Sequence, residues 1–417
     1  MFQATEYYGR EHESLEGIST EDFVDLLEPK LEYALSIDGL AARLAEGEPL
    51  RVKMGIDPTG PDIHLGHVVP VRALDLFRRA GHSVDLIFGD FTAKIGDPSG
   101  RSDGRKTLTD EEIGRNVASY KGQVHNYFDT DARNVTIHRN SLWLGALALP
   151  EVFQYLQMVN LTQATQRRDF RTRMEAGNSV TLAEAMYGTL QGIDSVHLRS
   201  DVEIGGIDQL LNVSQARDVQ RNRGQRPEEV LLTPIIQGTT GDGRKMSKSY
   251  GNYIPATASP DEIFGKIMSI PDTHVVPYLV AFAPIHKRDV ETLTLAAREN
   301  PLELKKQLAT YLAAVSAGSL SAGMEARETF DRRFARREFK EDEIVTITAA
   351  PDDTVLAIIG RTVGLSNNEV RRLANGGGIK VNGVKITEEG LHELPARGTA
   401  LSVGKRRHYT VEHANDA

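Results

Sequence analysis

From Arg51 to about Asn252, short apolar runs alternate with longer amphipathic stretches, and this alternation leaves few folds open to the chain. Arg51 to Asp57 reads as a strand running into Asp57-Pro58-Thr59-Gly60, Val68 to Ala80 as a helix, and Ser83 to Asp90 as a second strand. Asn134 to His138, Ser195 to Leu198 and Val230 to Leu232 are the further strand candidates. Strand–helix–strand order sustained this long predicts an α/β fold, a mostly parallel sheet with helices on both faces. Such sheets bind ligands in crevices beyond the C-terminal ends of their strands.

Helical patterns flank this body. Before Glu48, Ser19-Thr20-Glu21-Asp22 reads as a helix start followed by Phe23, Leu26 and Leu27 at helical spacing, with Pro29 interrupting the pattern. Beyond Asn252, helices are expected over Asp261 to Met268, His286 to Glu299 and Pro301 to Ala317. The charged stretch around Met324 to Lys340 reads as a helix leading into a linker, and an α/β tail starts near Ile344. The 417 residues leave room for two to four domains, expected here at 1–48, 49–250, 251–338 and 344–417. No apolar run approaches the roughly 18 residues needed to span a bilayer. The first residues lack the basic-then-apolar build of a signal peptide. Cysteine is absent, which excludes disulfides, thiolate catalysis and Cys-based zinc sites and fits a cytoplasmic protein.

Two short motifs carry the chemistry. His64-Leu65-Gly66-His67 follows the first strand and opens a helix, so its N–H donors and positive dipole end suit a phosphate. Gly66 permits close approach of a ligand to the backbone. Taken alone, the motif reads equally well as two surface histidines beside a turn. Lys245-Met246-Ser247-Lys248-Ser249 places two ammonium groups three residues apart among hydroxyls, behind Gly241-Asp242-Gly243. Such a loop suits closure over phosphates; taken alone it is a solvated basic loop.

Together, with α/β structure between them, the two motifs resemble the signatures of the class I aminoacyl-tRNA synthetases. The resemblance narrows to the tyrosyl-tRNA synthetases and covers nearly the full length. It rests on Gly55-Ile56-Asp57-Pro58-Thr59, Ile95-Gly96-Asp97-Pro98-Ser99-Gly100, Tyr187-Gly188-Thr189-Leu190-Gln191-Gly192-Ile193-Asp194 and Gly205-Gly206-Ile207-Asp208-Gln209. It implies a Rossmann-like parallel-sheet catalytic domain, then an α-helical domain and a small α+β S4-like domain. The expected reaction is activation of L-tyrosine by ATP with Mg²⁺, followed by transfer to tRNA(Tyr). The substrate carboxylate is already ionised at neutral pH, so positioning and charge stabilisation suffice without a general base.

The resemblance also implies residue roles. Thr59, His64 and His67 hold the ATP phosphates in the transition state, and Lys245 and Lys248 act on pyrophosphate with Arg101 and Arg105. Gly55, Asp57, Gly66, Met246, Ser247 and Ser249 belong to the same ATP site, while Gly205, Gly206 and Asp208 approach the ribose. Asp97, Thr92, Tyr187 and Gln191 bind the amino acid around its ammonium, with Gln209 near its polar end. Asp194 accepts a hydrogen bond from the phenol. Without the resemblance, Asp194 reads as a surface or capping carboxylate, Asp97 as a turn residue and Tyr187 as core. The chain departs from the family pattern at Lys53, Gly188, Ile193 and Ile207, all expected to flank the amino-acid pocket. Lys53 is expected either to reach the phenol end or to lie along the surface.

The tail resembles an S4 RNA-binding domain through Leu365 to Leu373, with Arg371 and Arg372 on a capped helix, and Gly378 to Gly383, with Lys380 before an Asn-Gly turn. Asp352 to Ala417 carries nine Lys and Arg against eight Asp and Glu, so the overall charge of −9 lies in the rest of the chain. Lys405, Arg406 and Arg407 add a cluster suited to phosphates. Arg167, Arg168, Arg171 and Arg173 read either as a salt-bridged helix face or as a contact for the tRNA acceptor stem. The resemblance implies a homodimer, and the lack of a long apolar run in the sequence leads to the expectation of no membrane partner. Three alternatives stay open: a nucleotidyltransferase sharing the HxGH motif, an enzyme for a modified tyrosine or another aromatic amino acid, and a synthetase-like protein that loads a different acceptor.

Overall fold

Most of the strands that the apolar runs form are buried, so their charged members stand out. In the computed structural model, residues 2–98, 108–158, 168–336, 345–350, 352–404 and 407–413 are described. The chain divides into two units, Met1–Arg327 and Glu328–Ala417. The first unit contains β1 (Tyr33–Ala34), β2 (Arg51–Ile56), β3 (Ser83–Phe88), β4 (Val135–Arg139), β5 (Val202–Gly206) and β6 (Glu229–Thr233). They form one sheet in the order β1-β6-β5-β2-β3-β4. Only β1 is antiparallel to its neighbour. The chain winds from β2 through β3 to β4, then returns to build β5 on the other side of β2. The switch point between β2 and β5 is therefore where a crevice opens.

The Leu65–Arg79 helix crosses from β2 to β3 and is buried nearly all round, with twelve of its residues buried, Arg72, Asp75 and Arg79 among them. The Ser195–Leu198 segment is not a strand. It ends the Tyr187–Leu198 helix, and the strand follows as β5. The apolar–polar alternation there is overridden by packing on the Leu210–Asn222 helix. At Gly192 an added Cβ would lie 2.9 Å from Val219 and 3.0 Å from the Ala216 Cα, so the two helices meet backbone to backbone. Arg199 then caps the helix in the left-handed region at φ 51°.

After β6 in the chain, helices occupy Pro260–Met268, Val275–Phe282, Val290–Glu299, Pro301–Ala317 and Leu320–Phe330. The Pro301–Ala317 helix is buried along most of its length, with Leu304, Leu308, Tyr311 and Leu312 in the core. Among the described residues no helix is long and apolar enough to cross a membrane.

The second unit has strands β7 (Val345–Ala349), β8 (Ile379–Val381), β9 (Val384–Lys385), β10 (Ala400–Val403) and β11 (Arg407–His413), in the order β7-β11-β10-β8-β9. Two helices, Val355–Val363 and Asn367–Asn375, share its core, built on Ile358, Ile359, Val370, Leu401 and Val411. Ser366 and Glu369 form a capping box at the second helix. Asn382 and Gly383, at φ 48° and 81°, supply the two left-handed residues of the hairpin between β8 and β9.

Candidate active site

A cavity of about 360 Å³ opens beyond the C-terminal ends of β2 and β5. Its lining includes Gly55, Asp57, Thr59, His64, Gly66 and His67 from one side of the switch point. Thr92, Asp97, Tyr187, Gln191 and Asp194 lie at one end. Gly205, Gly206, Asp208, Gln209, Lys245, Met246 and Ser247 complete it. The fold thus gathers into one cavity residues that the sequence spreads from Gly55 to Ser247. Lys248 and Ser249 stand outside the lining, and Arg101, Arg105, Lys405 and Arg406 lie outside the described residues.

At the histidine end, the helix start is its own scaffold. His64 is the N-cap, and its Nδ1 accepts from Gly66 N at 3.1 Å. His67 Nδ1 in turn accepts from His64 N at 3.3 Å. With each Nδ1 used as an acceptor, each proton sits on Nε2, so both rings offer a donor. Burial, helped for His64 by His67 and for both by Lys248 and Lys245, lowers the pKa values to about 3 and about 4. Both rings are therefore neutral at physiological pH. A Cβ on Gly66 would come within 2.9 Å of the His64 ring, so glycine lets that ring fold back over the helix end. Pro70, four residues on and also in the lining, has no N–H to satisfy the Gly66 carbonyl.

The basic loop is held from behind. Asn252, fully buried, accepts from Ser247 N at 2.8 Å and donates to the Lys245 carbonyl at 3.1 Å. Met246 N bonds to the Ile236 carbonyl, with its side chain buried. These ties leave Lys245 at the cavity. Lys248 Nζ donates to the Asp62 carbonyl at 2.6 Å, and the Ser247 and Ser249 hydroxyls are 2.9 Å apart. Nothing in the loop itself announces Asn252, which is recognisable only from its place in the fold.

The opposite end is a web of carboxylates and their donors. Tyr187 donates its hydroxyl to Asp57 Oδ2 at 2.8 Å and Thr92 donates to Asp57 Oδ1 at 2.7 Å. Burial, with Asp57 alongside, raises the Tyr187 pKa well above the usual tyrosine range and keeps it a donor. Gly89 has no room for a side chain, since a Cβ would sit 2.1 Å from Asp57 Oδ1. Asp97 accepts from Gln209 Nε2 at 2.5 Å and from the buried Asn212 at 3.3 Å. Asp194, only 5% exposed, accepts from Trp143 Nε1 at 2.7 Å and from Asn140 Nδ2 at 3.4 Å. Burial pushes its pKa up to about 7, against the opposing pull of Lys53 and these hydrogen bonds. Asn140 and Trp143 went unnoticed in the sequence. The signal was available: they follow β4, at the C-terminal end of a parallel strand, and Trp143 is the chain's single tryptophan.

Of the four departures, Lys53 sits differently from expectation. Lys53 neither reaches along the surface nor lines the cavity. It is 1% exposed and pairs with Glu203 at 2.5 Å, because β2 and β5 place the two opposite each other in register. Ile193 belongs to the core with Trp143, Leu190 and Val219, and Ile207 packs against Val213, Val230 and Leu232. At Gly188 a Cβ would collide with Gln215 Oε1 at 1.9 Å. None of the four lines the cavity. Arg173 is buried, paired with Glu184 at 2.6 Å, and is a strut rather than an exposed RNA contact. Arg171 is exposed, while Arg167 and the Arg168 side chain lie outside the described residues. In the second unit Arg372 and Arg407 are exposed, Lys380 is half-buried, and Arg371 pairs with Glu388 at 3.1 Å.

The model of the family described as tRNA synthetases class I (W and Y) matches residues 45–335. The tyrosine–tRNA ligase of Symbiobacterium thermophilum is 40% identical over 370 residues, covering 88% of this chain and 90% of that protein. That of Geobacter metallireducens is 40% identical over 391 residues, covering 92% and 94%. Among solved structures, a C-terminally truncated mitochondrial tyrosyl-tRNA synthetase of Aspergillus nidulans matches with a TM-score of 0.62 at 21% identity, over 79% of this chain and 99% of that one. The tyrosyl-tRNA synthetase of Archaeoglobus fulgidus, complexed with L-tyrosine, matches with a TM-score of 0.59 at 23% identity, over 74% and 99%. These two establish likeness of fold, and the closer sequence relatives carry the assignment: the chain belongs to the class I tRNA synthetases of the W and Y family, among the tyrosine–tRNA ligases.

Proposed function

We propose that this enzyme activates L-tyrosine with ATP and transfers it to the 3′ end of tRNA(Tyr). The observation that carries the reading is one cavity with phosphate donors at one end and a buried, partly satisfied carboxylate at the other. The tyrosine carboxylate attacks the α-phosphorus, the bond to the bridging oxygen breaks, and pyrophosphate leaves with Mg²⁺. His64 and His67 donate from Nε2 to oxygens that gain charge as the phosphorus becomes pentavalent. Lys245 faces the leaving group, and Lys248, released from the Asp62 carbonyl, joins it. Asp97, Tyr187 and Gln191 receive the ammonium, Gln209 lies near it, and Asp194 accepts from the phenol. Gly205, Gly206 and Asp208 meet the ribose. In the second step a ribose hydroxyl at the tRNA end attacks the tyrosyl carbonyl and AMP leaves.

Arg371, Arg372, Lys380 and Arg407 in the S4-like unit supply phosphate contacts for the tRNA. A homodimer is supported by apolar side chains left open on neighbouring segments: Leu142 at 73%, Leu149 at 68%, Phe153 at 55% and Leu182 at 73% exposure. The enzyme acts in the cytoplasm. The test is amino-acid-dependent exchange of pyrophosphate into ATP with tyrosine, phenylalanine, tryptophan and ring-substituted tyrosines, followed by tRNA charging. Preference for another amino acid, or exchange without charging, overturns the reading.

A further inference from the structure

Beneath the amino-acid end lies a buried polar layer that the reaction does not use directly. Glu203 projects from β5 at 1% exposure, lines the cavity, and takes two donors on the same oxygen: Lys53 Nζ at 2.5 Å and Gln191 Nε2 at 2.7 Å. Glu228, fully buried, accepts from the Ser195 hydroxyl at 2.9 Å and from the Ser200 hydroxyl. Burial, opposed by Lys53 and reinforced by Glu203, raises the Glu228 pKa well above the carboxylate range. Of the two acids, Glu203 is the one in direct contact with Lys53.

An ionised carboxylate only accepts hydrogen bonds, whereas an amide presents a donor on one side and an acceptor on the other. The Glu203 oxygen that already receives Lys53 therefore takes the NH₂ of Gln191, which leaves the amide oxygen for the cavity. We propose that Glu203, paired with Lys53, is a positioning residue that fixes the Gln191 amide with its oxygen toward the substrate ammonium. This rests on the reading that Gln191 meets that ammonium. The inverted amide would face a cation with two N–H groups, so the orientation decides between attraction and repulsion. The lysine that departs from the family pattern acquires a role here: it sets the polarity of a substrate-binding amide from one layer below.

The test pairs Glu203→Gln with Gln191→Ala and reads two ligands by calorimetry: L-tyrosine, and 3-(4-hydroxyphenyl)propanoate, which lacks the amine. A glutamine at 203 offers either a donor or an acceptor and no longer dictates the amide. Glu203→Gln should weaken tyrosine binding and raise its KM by roughly 10- to 100-fold, the scale of one hydrogen bond to a charged group. The Kd of the amine-free ligand, the KM for ATP and kcat should stay within about threefold of wild type. Equal weakening of both ligands would mean a collapsed pocket and overturns the proposal. So does unchanged tyrosine binding in Glu203→Gln when Gln191→Ala is impaired. Unchanged tyrosine binding in Gln191→Ala instead removes the underlying reading of Gln191. If the single variant does not fold, Lys53→Met with Glu203→Gln removes both charges, and the same selective loss is expected of it.

Discussion

At the histidine end of the cavity, support comes from close by in the chain: His64 accepts from a nitrogen two residues on, and His67 from one three residues back. At the amino-acid end, Asp194 is held by partners 51 and 54 residues away, Asp97 by one at 112, and Asp57 by one at 130. The protonation states differ as well. Burial strips charge from the histidines, leaving neutral donors for an anion, whereas the other end concentrates acids to receive a cation and a hydroxyl. A local motif thus makes a donor site from its own backbone, while an acceptor site for a whole amino acid needs the sheet to bring its parts together.

Removing a donor from the local end should give the largest effect. Alanine at His64 or His67 is expected to lower the rate of tyrosine activation by roughly 10²- to 10³-fold, the loss from one preorganised donor, with smaller changes in KM. Pre-steady-state adenylate formation measures this. If binding of substrates falls as much as the rate, the donors act in the ground state and the contrast between the two ends fails.

At the other end, Asp194→Ala should cut tyrosine activation by roughly 10²-fold while barely touching phenylalanine. Phenylalanine already leaves the wild-type carboxylate without its phenol donor, so the discrimination narrows. Tyrosine-specific synthetases are themselves the known case of such discrimination, roughly 10⁵-fold. Trp143→Phe keeps the ring and removes one donor to Asp194, and should give a partial version of the same change. Exchange kinetics with both amino acids decide it; an unchanged tyrosine-to-phenylalanine ratio in Asp194→Ala removes the carboxylate from the phenol.

The same contrast explains what could be read in advance. The α/β class and both short motifs were legible, because period, glycine placement and capping are local. The Ser195–Leu198 stretch misled because an alternating tetrapeptide carries no information about the helix packed against it. Lys53, Asn212 and Asn252 were opaque for a related reason. Each is polar and almost fully buried, and its partner is known only once strands are in register or a loop has closed on itself. Arg173 is the converse: it belongs to a basic run that suggests RNA, yet Glu184 claims it.

The two units offer a second comparison, with a smaller effect. Deleting Pro351 to Ala417 should leave tyrosine-dependent exchange within about threefold, since the cavity is lined wholly from the first unit. tRNA charging should fall by roughly tenfold through a raised KM for tRNA, because phosphate contacts supply affinity. That loss should be greater at high salt. Loss of exchange by a folded truncation would mean that the tail supports the cavity.

The smallest effect is a pH response that should appear at one end only. The Asp194 pKa of about 7 lies well above the ordinary carboxylate range. Between those two values the folded state holds a proton that the unfolded chain has released, so this group's contribution to stability falls as pH rises through the window. Function runs the other way, because only the ionised form is a full acceptor for the phenol. From pH 8 to pH 6 the ionised fraction drops by about tenfold, so the KM for tyrosine should rise by roughly 5- to 10-fold. Phenylalanine, which has no hydroxyl to donate, should show no such rise. The KM for ATP with Mg²⁺ should also stay nearly level, because the histidines, at about 3 and about 4, remain neutral throughout. Exchange assays across this range with both amino acids separate the cases. A tyrosine KM that stays flat would place the carboxylate's proton elsewhere, and an ATP KM that climbs with it would mean that the two ends titrate together.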